Sequence, residues 1–223
     1  MTPRDILLLL PEVSTAGLAA VVIILDMFGL RRQWLSVVCV TGLLIPLSFI
    51  VLFWGDIEGW WVTTLGSSIL NGEESALGIF NTVRLDSFAL FFKFLVVIGL
   101  AIVILMSSGY HEKISRYVGE YFALLMISAV GMMLLAAATE LITLYIALEL
   151  STLPVVALAA FLGDSRSSEA GLKFLLLGAL SSAVLLYGMV LVFGFTGTTY
   201  LDSISSQIIV ASQGFGSPAL LVG

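Results

Sequence analysis

The sequence predicts an all-α polytopic membrane protein. Of its 223 residues, 60% are hydrophobic and only 11% are charged. Mean hydropathy is +1.14. The apolar residues gather into runs long enough to cross a hydrocarbon core of roughly 30 Å. A water-soluble chain of this size with so few polar side chains would not cover its own surface.

The runs fall in order along the chain. Ile6–Phe28 is the first. Met1-Thr-Pro-Arg-Asp5 leads straight into it with no small-x-small cleavage site, so it reads as a membrane helix and not as a signal peptide. Leu35–Phe53 is the second, and Trp54, Trp60 and Trp61 follow it as an aromatic belt. Trp54–Arg84 is the longest connection. There Asn71-Gly72 signals a turn and Trp60–Leu65 reads as a short strand of a hairpin. Phe88–Met106, Tyr121–Ala138, Leu141–Leu162 and Ala170–Phe195 are the third to sixth runs. The Gly-, Ser- and Thr-rich connection Thr196–Gly216 holds a short amphipathic piece around Ile204–Ile209. A further apolar run opens at Ser217, with Pro218 suited to a first helical turn. The expectation is six complete membrane helices and the start of a seventh.

Loop charges orient the bundle. Arg31, Arg32, Lys113, Arg116 and Arg166 fall on one side; Arg4 and Arg84 fall on the other, beside Asp56, Glu58, Glu73, Glu74, Asp86 and Asp202. Basic residues favour the cytoplasmic side, so the N-terminus is expected on the outer, periplasmic-equivalent side. The net charge of −6 comes mostly from loop acids, and there is no basic patch to bind nucleic acid.

Several chemistries are excluded. The one cysteine, Cys39, allows no internal disulfide and no Cys-x-x-Cys cluster, and the one histidine, His111, cannot supply two haem ligands. Gly214-Phe-Gly216-Ser-Pro-Ala219 matches a dinucleotide fingerprint only in letters, because no strand precedes it. The chain is therefore expected to carry no cofactor of its own.

Glu149 is the strongest functional candidate. It is the one charge within Leu141–Leu162. A carboxylate at mid-span costs roughly 3 kcal/mol or more and marks ion or proton movement by default. Tyr145, Glu149 and Thr152 stand at i−4, i and i+3 and share a helix face. Pro154 has no N–H for the carbonyl of Leu150, which frees that carbonyl beside the carboxylate. The competing reading is a glutamate that only bonds a neighbouring helix.

The other charges are weaker candidates. Lys173 in the sixth run is offset from Glu149 by about 13 Å along antiparallel helices, too far for an ion pair. It also stands i+4 from Glu169, the favourable order for a simple helix-surface pair. Lys93 either reaches the interior or snorkels to the surface. Glu140 sits at the tight junction of the fourth and fifth runs, where a helix N-terminal role is the simpler reading. Glu12 and Asp26, taken singly, read as structural. Gly178-xxx-Ser182 is a small-xxx-small pattern read as helix packing.

The stretch Glu140-Leu-Ile-Thr-Leu-Tyr-Ile-Ala-Leu-Glu149-Leu-Ser-Thr-Leu-Pro154 resembles the fifth-helix signature of the antiporter-like subunits of respiratory complex I. Within that group it is most similar to the subunit N family of NADH–quinone oxidoreductase. Glu169-Ala-Gly-Leu-Lys173-Phe-Leu-Leu-Leu-Gly178-Ala-Leu-Ser-Ser182 resembles the sixth helix of subunit N. Leu10-Pro-Glu12 with Asp26 resembles its first helix, and Leu85-Asp86-Ser-Phe-Ala-Leu-Phe-Phe-Lys93 the start of its third. Thr139-Glu140-Leu141 stands where the family usually has Asn-Asp-Leu, which keeps the acid.

The resemblance implies that residues 1–110 form an N-terminal three-helix membrane segment with an outer loop at 54–84. Residues 111–223 would then be an incomplete first half of the antiporter-like inverted-repeat core. It implies that Glu149 and Lys173 take part in proton translocation, with Lys93, Glu140, Tyr145 and Thr152 as secondary positions. The usual lysine partner of the fifth-helix glutamate lies in a stretch beyond the residues present. NAD, FMN, iron–sulfur clusters and quinone would sit on other subunits. The implied partners are other membrane-arm subunits, the lipid bilayer and protons. The implied location is a bacterial plasma membrane, or an organellar inner or thylakoid membrane. The alternatives are a subunit of a multisubunit cation/proton antiporter, which shares the five-helix unit, and a purely structural membrane subunit.

Overall fold

Long apolar runs become helices because a helix satisfies every backbone N–H and C=O internally, which hydrocarbon requires. A computed structural model describes residues 7–29, 32–57, 75–78, 81–107 and 117–213. Among them, six helical spans are long and apolar enough to cross a membrane. The chain is a polytopic helical membrane protein.

Helix α1 covers Leu10–Met27 and begins at Pro11, a residue suited to a first turn. The second span, Trp34–Gly55, is made of two pieces, α2 (Arg32–Gly42) and α3 (Leu44–Ile57). The break has a local cause. Pro46 has no N–H to return to the carbonyl of Gly42, so the ladder is interrupted there while Leu43 and Leu47 still bond Cys39 and Leu43. Strands β1 (Ser75–Gly78) and β2 (Val83–Asp86) then pair antiparallel, with Ser75 opposite Asp86 and Gly78 opposite Val83. Asn81, at φ 62°, turns the chain between them, a left-handed conformation that asparagine tolerates. This hairpin was not expected from the sequence; the expected strand at Trp60–Leu65 and the Asn71-Gly72 turn fall outside the described residues.

Four more helices follow: α4 (Ser87–Ser107), α5 (Val118–Ala137), α6 (Leu141–Ala159) and α7 (Ser165–Thr196). Their bounds lie within about one turn of the apolar runs. Asp86 Oδ1 accepts from the N–H of Ala89 at 2.7 Å and so caps α4. Asp164 caps α7 through the N–H of Ser167, also at 2.7 Å. The amphipathic piece near Ile204–Ile209 is helix α8, Leu201–Gln213. The expected seventh span at Ser217 lies outside the described residues.

The core gathers on α5. Phe122, Met126, Ala129 and Met133 of α5 are fully buried and join Val22 of α1, Cys39 of α2, Ile50 of α3 and Ile104 of α4 in one cluster. Residues on both sides of position 110 therefore share a single apolar core. Helix α6 packs mainly on α5, and α7 packs on α6. None of the membrane-length window of α7 is buried. It forms the open flank of the bundle.

Two features fix the ends. At one end the Asp26 carboxylate of α1 accepts from the N–H of Gly119 at 3.0 Å, in the first turn of α5. A negative charge there also suits the helix dipole. A Cβ on Gly119 would lie 2.5 Å from the Cβ of Asp26, so only glycine lets the two approach. At the other end three connections form a small backbone seam. Val83 bridges Ala138, and Glu140 bridges Tyr200. Thr139 donates from its N–H to the Thr82 carbonyl (3.0 Å), and Leu141 and Leu201 exchange bonds with Thr199 and Thr139. An Arg84–Asp202 ion pair joins the same seam.

Candidate functional site

The fifth span puts its polar residues on the side of α6 that meets α7. Glu149 and Thr152 line a groove of ≈ 360 Å³ between these helices, facing Phe174, Gly178, Ser181 and Ser182. Glu149 is half-buried, and its Oε1 is buried without a hydrogen-bond partner among the described residues. The Tyr145 phenol stands one turn away on the same helix, near enough to feel the charge of this carboxylate. Tyr145 also lines a second, adjoining groove of ≈ 250 Å³ that runs on toward Thr199 at the seam. The residues read from i−4, i and i+3 spacing thus line two grooves between α6 and α7, Tyr145 one and Glu149 with Thr152 the other. Thr152 contributes less than expected: its hydroxyl approaches the Glu149 carbonyl at 3.4 Å, not the carboxylate.

A carboxylate oxygen held in an apolar groove without a donor is a high-energy arrangement. It relaxes by taking up a proton, by admitting water or by meeting a cation. Pro154 is buried on the same helix. Ser151 Oγ donates back to the Leu148 carbonyl at 2.7 Å in the turn that carries Glu149.

The remaining candidates are not brought to this groove. Lys173 stands on the open flank with its side chain 71% exposed and ion-paired to Glu169 at i,i+4. It does not line the groove. A relay between Lys173 and Glu149 therefore has no contact to rest on within these residues, and the surface pair foreseen from spacing is the one that forms. Gly178 and Ser182 line the groove beside α6, and a Cβ on Gly178 would meet nothing within 4 Å, so no close helix contact is made at Gly178 among the described residues.

Glu140 is the N-cap residue of α6, but its side chain does not cap the backbone. Its carboxylate instead accepts from Thr199 Oγ1 at 2.6 Å and from Thr143 Oγ1 at 3.4 Å. It ties the α6 entry to the connection after α7.

Lys93 reaches the interior and does not snorkel. Its Nζ lies 2.7 Å from Glu12 Oε1, with the two side chains 0% and 4% exposed. The approach is close but off-axis, so neither group makes an aligned hydrogen bond. Charge, not hydrogen-bond geometry, holds the pair. Glu12 is thus more than a singly placed structural acid. Its signal in the sequence was an opposite charge near the same end of another helix in the first three spans.

Among the described residues, no three His, Cys, Asp or Glu side chains converge to hold a metal ion.

Comparison with known proteins gives consistent relatives. Residues 138–223 match the family described as NADH:quinone oxidoreductase/Mrp antiporter, transmembrane. The chain is 47% identical over 140 residues to NADH-quinone oxidoreductase subunit N of Moorella thermoacetica, covering 62% of this chain and 29% of that protein. It is 33% identical over 221 residues to subunit N of Trichlorobacter lovleyi, covering 96% of this chain and 41% of the relative. Its fold resembles a chain of respiratory complex I from Thermus thermophilus, with TM-score 0.64, 27% identity, and coverage of 86% of this chain and 38% of that one. The likeness read from the fifth- and sixth-helix motifs thus extends over up to 96% of this chain. The chain spans at most about two-fifths of the length of these relatives.

Proposed function

We propose that this chain, a relative of subunit N of NADH-quinone oxidoreductase, serves as a membrane-arm subunit of a proton-pumping NADH–quinone oxidoreductase. Glu149 is its proton-exchanging residue. One observation carries the reading: an unpartnered carboxylate oxygen sits in an apolar groove at mid-span, within the residues that match the family. The charged form of Glu149 is favoured while a cation is near. When the cation recedes, desolvation dominates and the acid takes up a proton. Tyr145 stands one turn from the acid in an apolar groove that reaches Thr199, and Thr152 lines the groove beside the acid.

Lys173 is assigned a secondary part, met through groups outside the described residues. Lys93 is neutralised in place by Glu12, and Glu140 is anchored by Thr199, so both are assigned to holding the scaffold. Redox chemistry, with NAD, FMN, iron–sulfur clusters and quinone, belongs to other subunits. The open apolar flank of α6 and α7 faces lipid and further membrane-arm protein. Residues 1–110 are assigned to the N-terminal three-helix segment and 111–223 to the opening of the antiporter-like core. The basic residues Arg31, Arg32, Lys113, Arg116 and Arg166 support an outer N-terminus, and the bacterial relatives support a plasma membrane.

The test is Glu149→Gln in the assembled complex. NADH-driven proton uptake should fall far more than assembly does; parent-level pumping would sink the proposal. A cation/proton antiporter subunit is the second reading, favoured by the Mrp part of the family description. It predicts cation-driven proton exchange that persists without NADH.

A further inference from the structure

Helix α6 is held on the side opposite its carboxylate. Ser151 is two residues past Glu149, so the two project about 200° apart around the helix. On the Ser151 side, α5 comes into direct backbone contact. A Cβ on Gly131 would lie 2.7 Å from both the carbonyl carbon of Leu150 and the Cα of Ser151, and closer still to the Ser151 nitrogen. A contact at backbone range needs glycine. Three residues earlier on α5, the buried hydroxyl of Ser128 donates to the Ser151 carbonyl at 2.7 Å. Both contacts fall on the turn where Pro154 has removed the hydrogen bond to the Leu150 carbonyl. The turn weakened by proline is the one that α5 grips.

We propose that Gly131 and Ser128 are positioning residues for Glu149: they fix the rotation of the proline-loosened turn of α6 so that the carboxylate points into the α6–α7 groove. This rests on the assignment of Glu149 made above. Without the grip, the turn is free to rotate or shift, and the carboxylate leaves the groove. A displacement of about 1 Å at such a group costs up to a hundredfold in rate. The groups facing Glu149 leave few other controls. Tyr145, from its own helix, is the titratable one among the described residues. The α7 wall of the groove is apolar, glycine or serine, and the α5 contacts are Ser128 and Gly131.

The experiment uses the assembled membrane complex with two readouts. One is protons moved per NADH oxidised. The other is the titration of the Glu149 carboxyl band by infrared difference spectroscopy, with Glu149→Gln as the band assignment. Gly131→Ala and Ser128→Ala should each lower pumping by about tenfold or more and shift the midpoint of the carboxyl titration by about one pH unit or more. Ser128→Thr, which keeps the donor, should restore both. Ser128→Ala with parent pumping and an unmoved midpoint overturns the inference, and it decides the matter if Gly131→Ala fails to assemble. If Glu149→Gln pumps like the parent, the proposed function fails. The carboxyl midpoints then still decide whether α5 positions the acid.

Discussion

Replacing Glu12 with glutamine removes one charge from a pair that is almost wholly buried. At the observed 2.7 Å, and with an effective dielectric constant of about 20, the Coulomb attraction is about 6 kcal/mol. Removing both charges from water costs several kcal/mol per ion, so the intact pair is close to neutral against an apolar pair of the same size. Breaking it leaves Lys93 buried without a counter-charge, which costs about 3–5 kcal/mol. Glu12→Gln should therefore strongly destabilise the chain, as should Lys93→Met. The double variant Glu12→Gln/Lys93→Met should recover most of the loss. The assay is reversible unfolding of the purified chain in mixed detergent micelles, followed by helical circular dichroism, as a double-mutant cycle. The reasoning is refuted if either single variant stays within about 1 kcal/mol of the parent. It is equally refuted if the double variant is no more stable than the singles.

Other sites offer simpler tests. Gly119→Ala forces a Cβ against Asp26 and should cost about 1–3 kcal/mol, read by the same unfolding assay; an unchanged midpoint would contradict the capping contact. Hydrogen bonds from Ser167, first from its side chain and then from its backbone N–H, hold the Asp164 carboxyl below the usual range. Because the folded value is depressed, this contribution is present above the ordinary carboxylate pKa and is lost as pH falls through the folded one. Hydrogen exchange at the Ser167 amide, normalised to intrinsic rates, should quicken on acidification and in Asp164→Ala, but little in Asp164→Asn at neutral pH. Cys39 is the one cysteine and is fully buried in the core, so a maleimide should label it only when the bundle opens. Labelling of the native chain at the rate of a free thiol would contradict the packing of α2.

The spans were legible because a bilayer admits few solutions. Runs such as Phe88–Met106 must be helical, and their lengths follow from the thickness to be crossed. The kink at Pro46 was present in the letters but fell inside one hydropathy run, which averages over it. The hairpin at Ser75–Asp86 gave no strong signal, because Asn81 stands without the glycine that usually marks a tight turn. The face of Glu149 was legible from helical spacing alone. Its relation to Lys173 was legible as a distance too great for contact. The Glu12–Lys93 pair was not, since pairing depends on how two helices rotate toward each other, and that rotation is set by packing on α5. Gly131 carries no polar signal at all. Its meaning appears only when a second backbone arrives against it.

The seam at the end of the bundle also has a consequence in time. Arg84 and its partner Asp202 are 118 residues apart in the chain. At about 5–20 residues per second, translation needs roughly 6–24 s to produce the second after the first. The Thr82 carbonyl waits for Thr139, and Thr139 in turn waits for Leu201. During membrane insertion, then, the early helices emerge with that edge unpaired, and each later connection supplies one missing partner. The seam closes only once α7 has crossed and Leu201 has followed it.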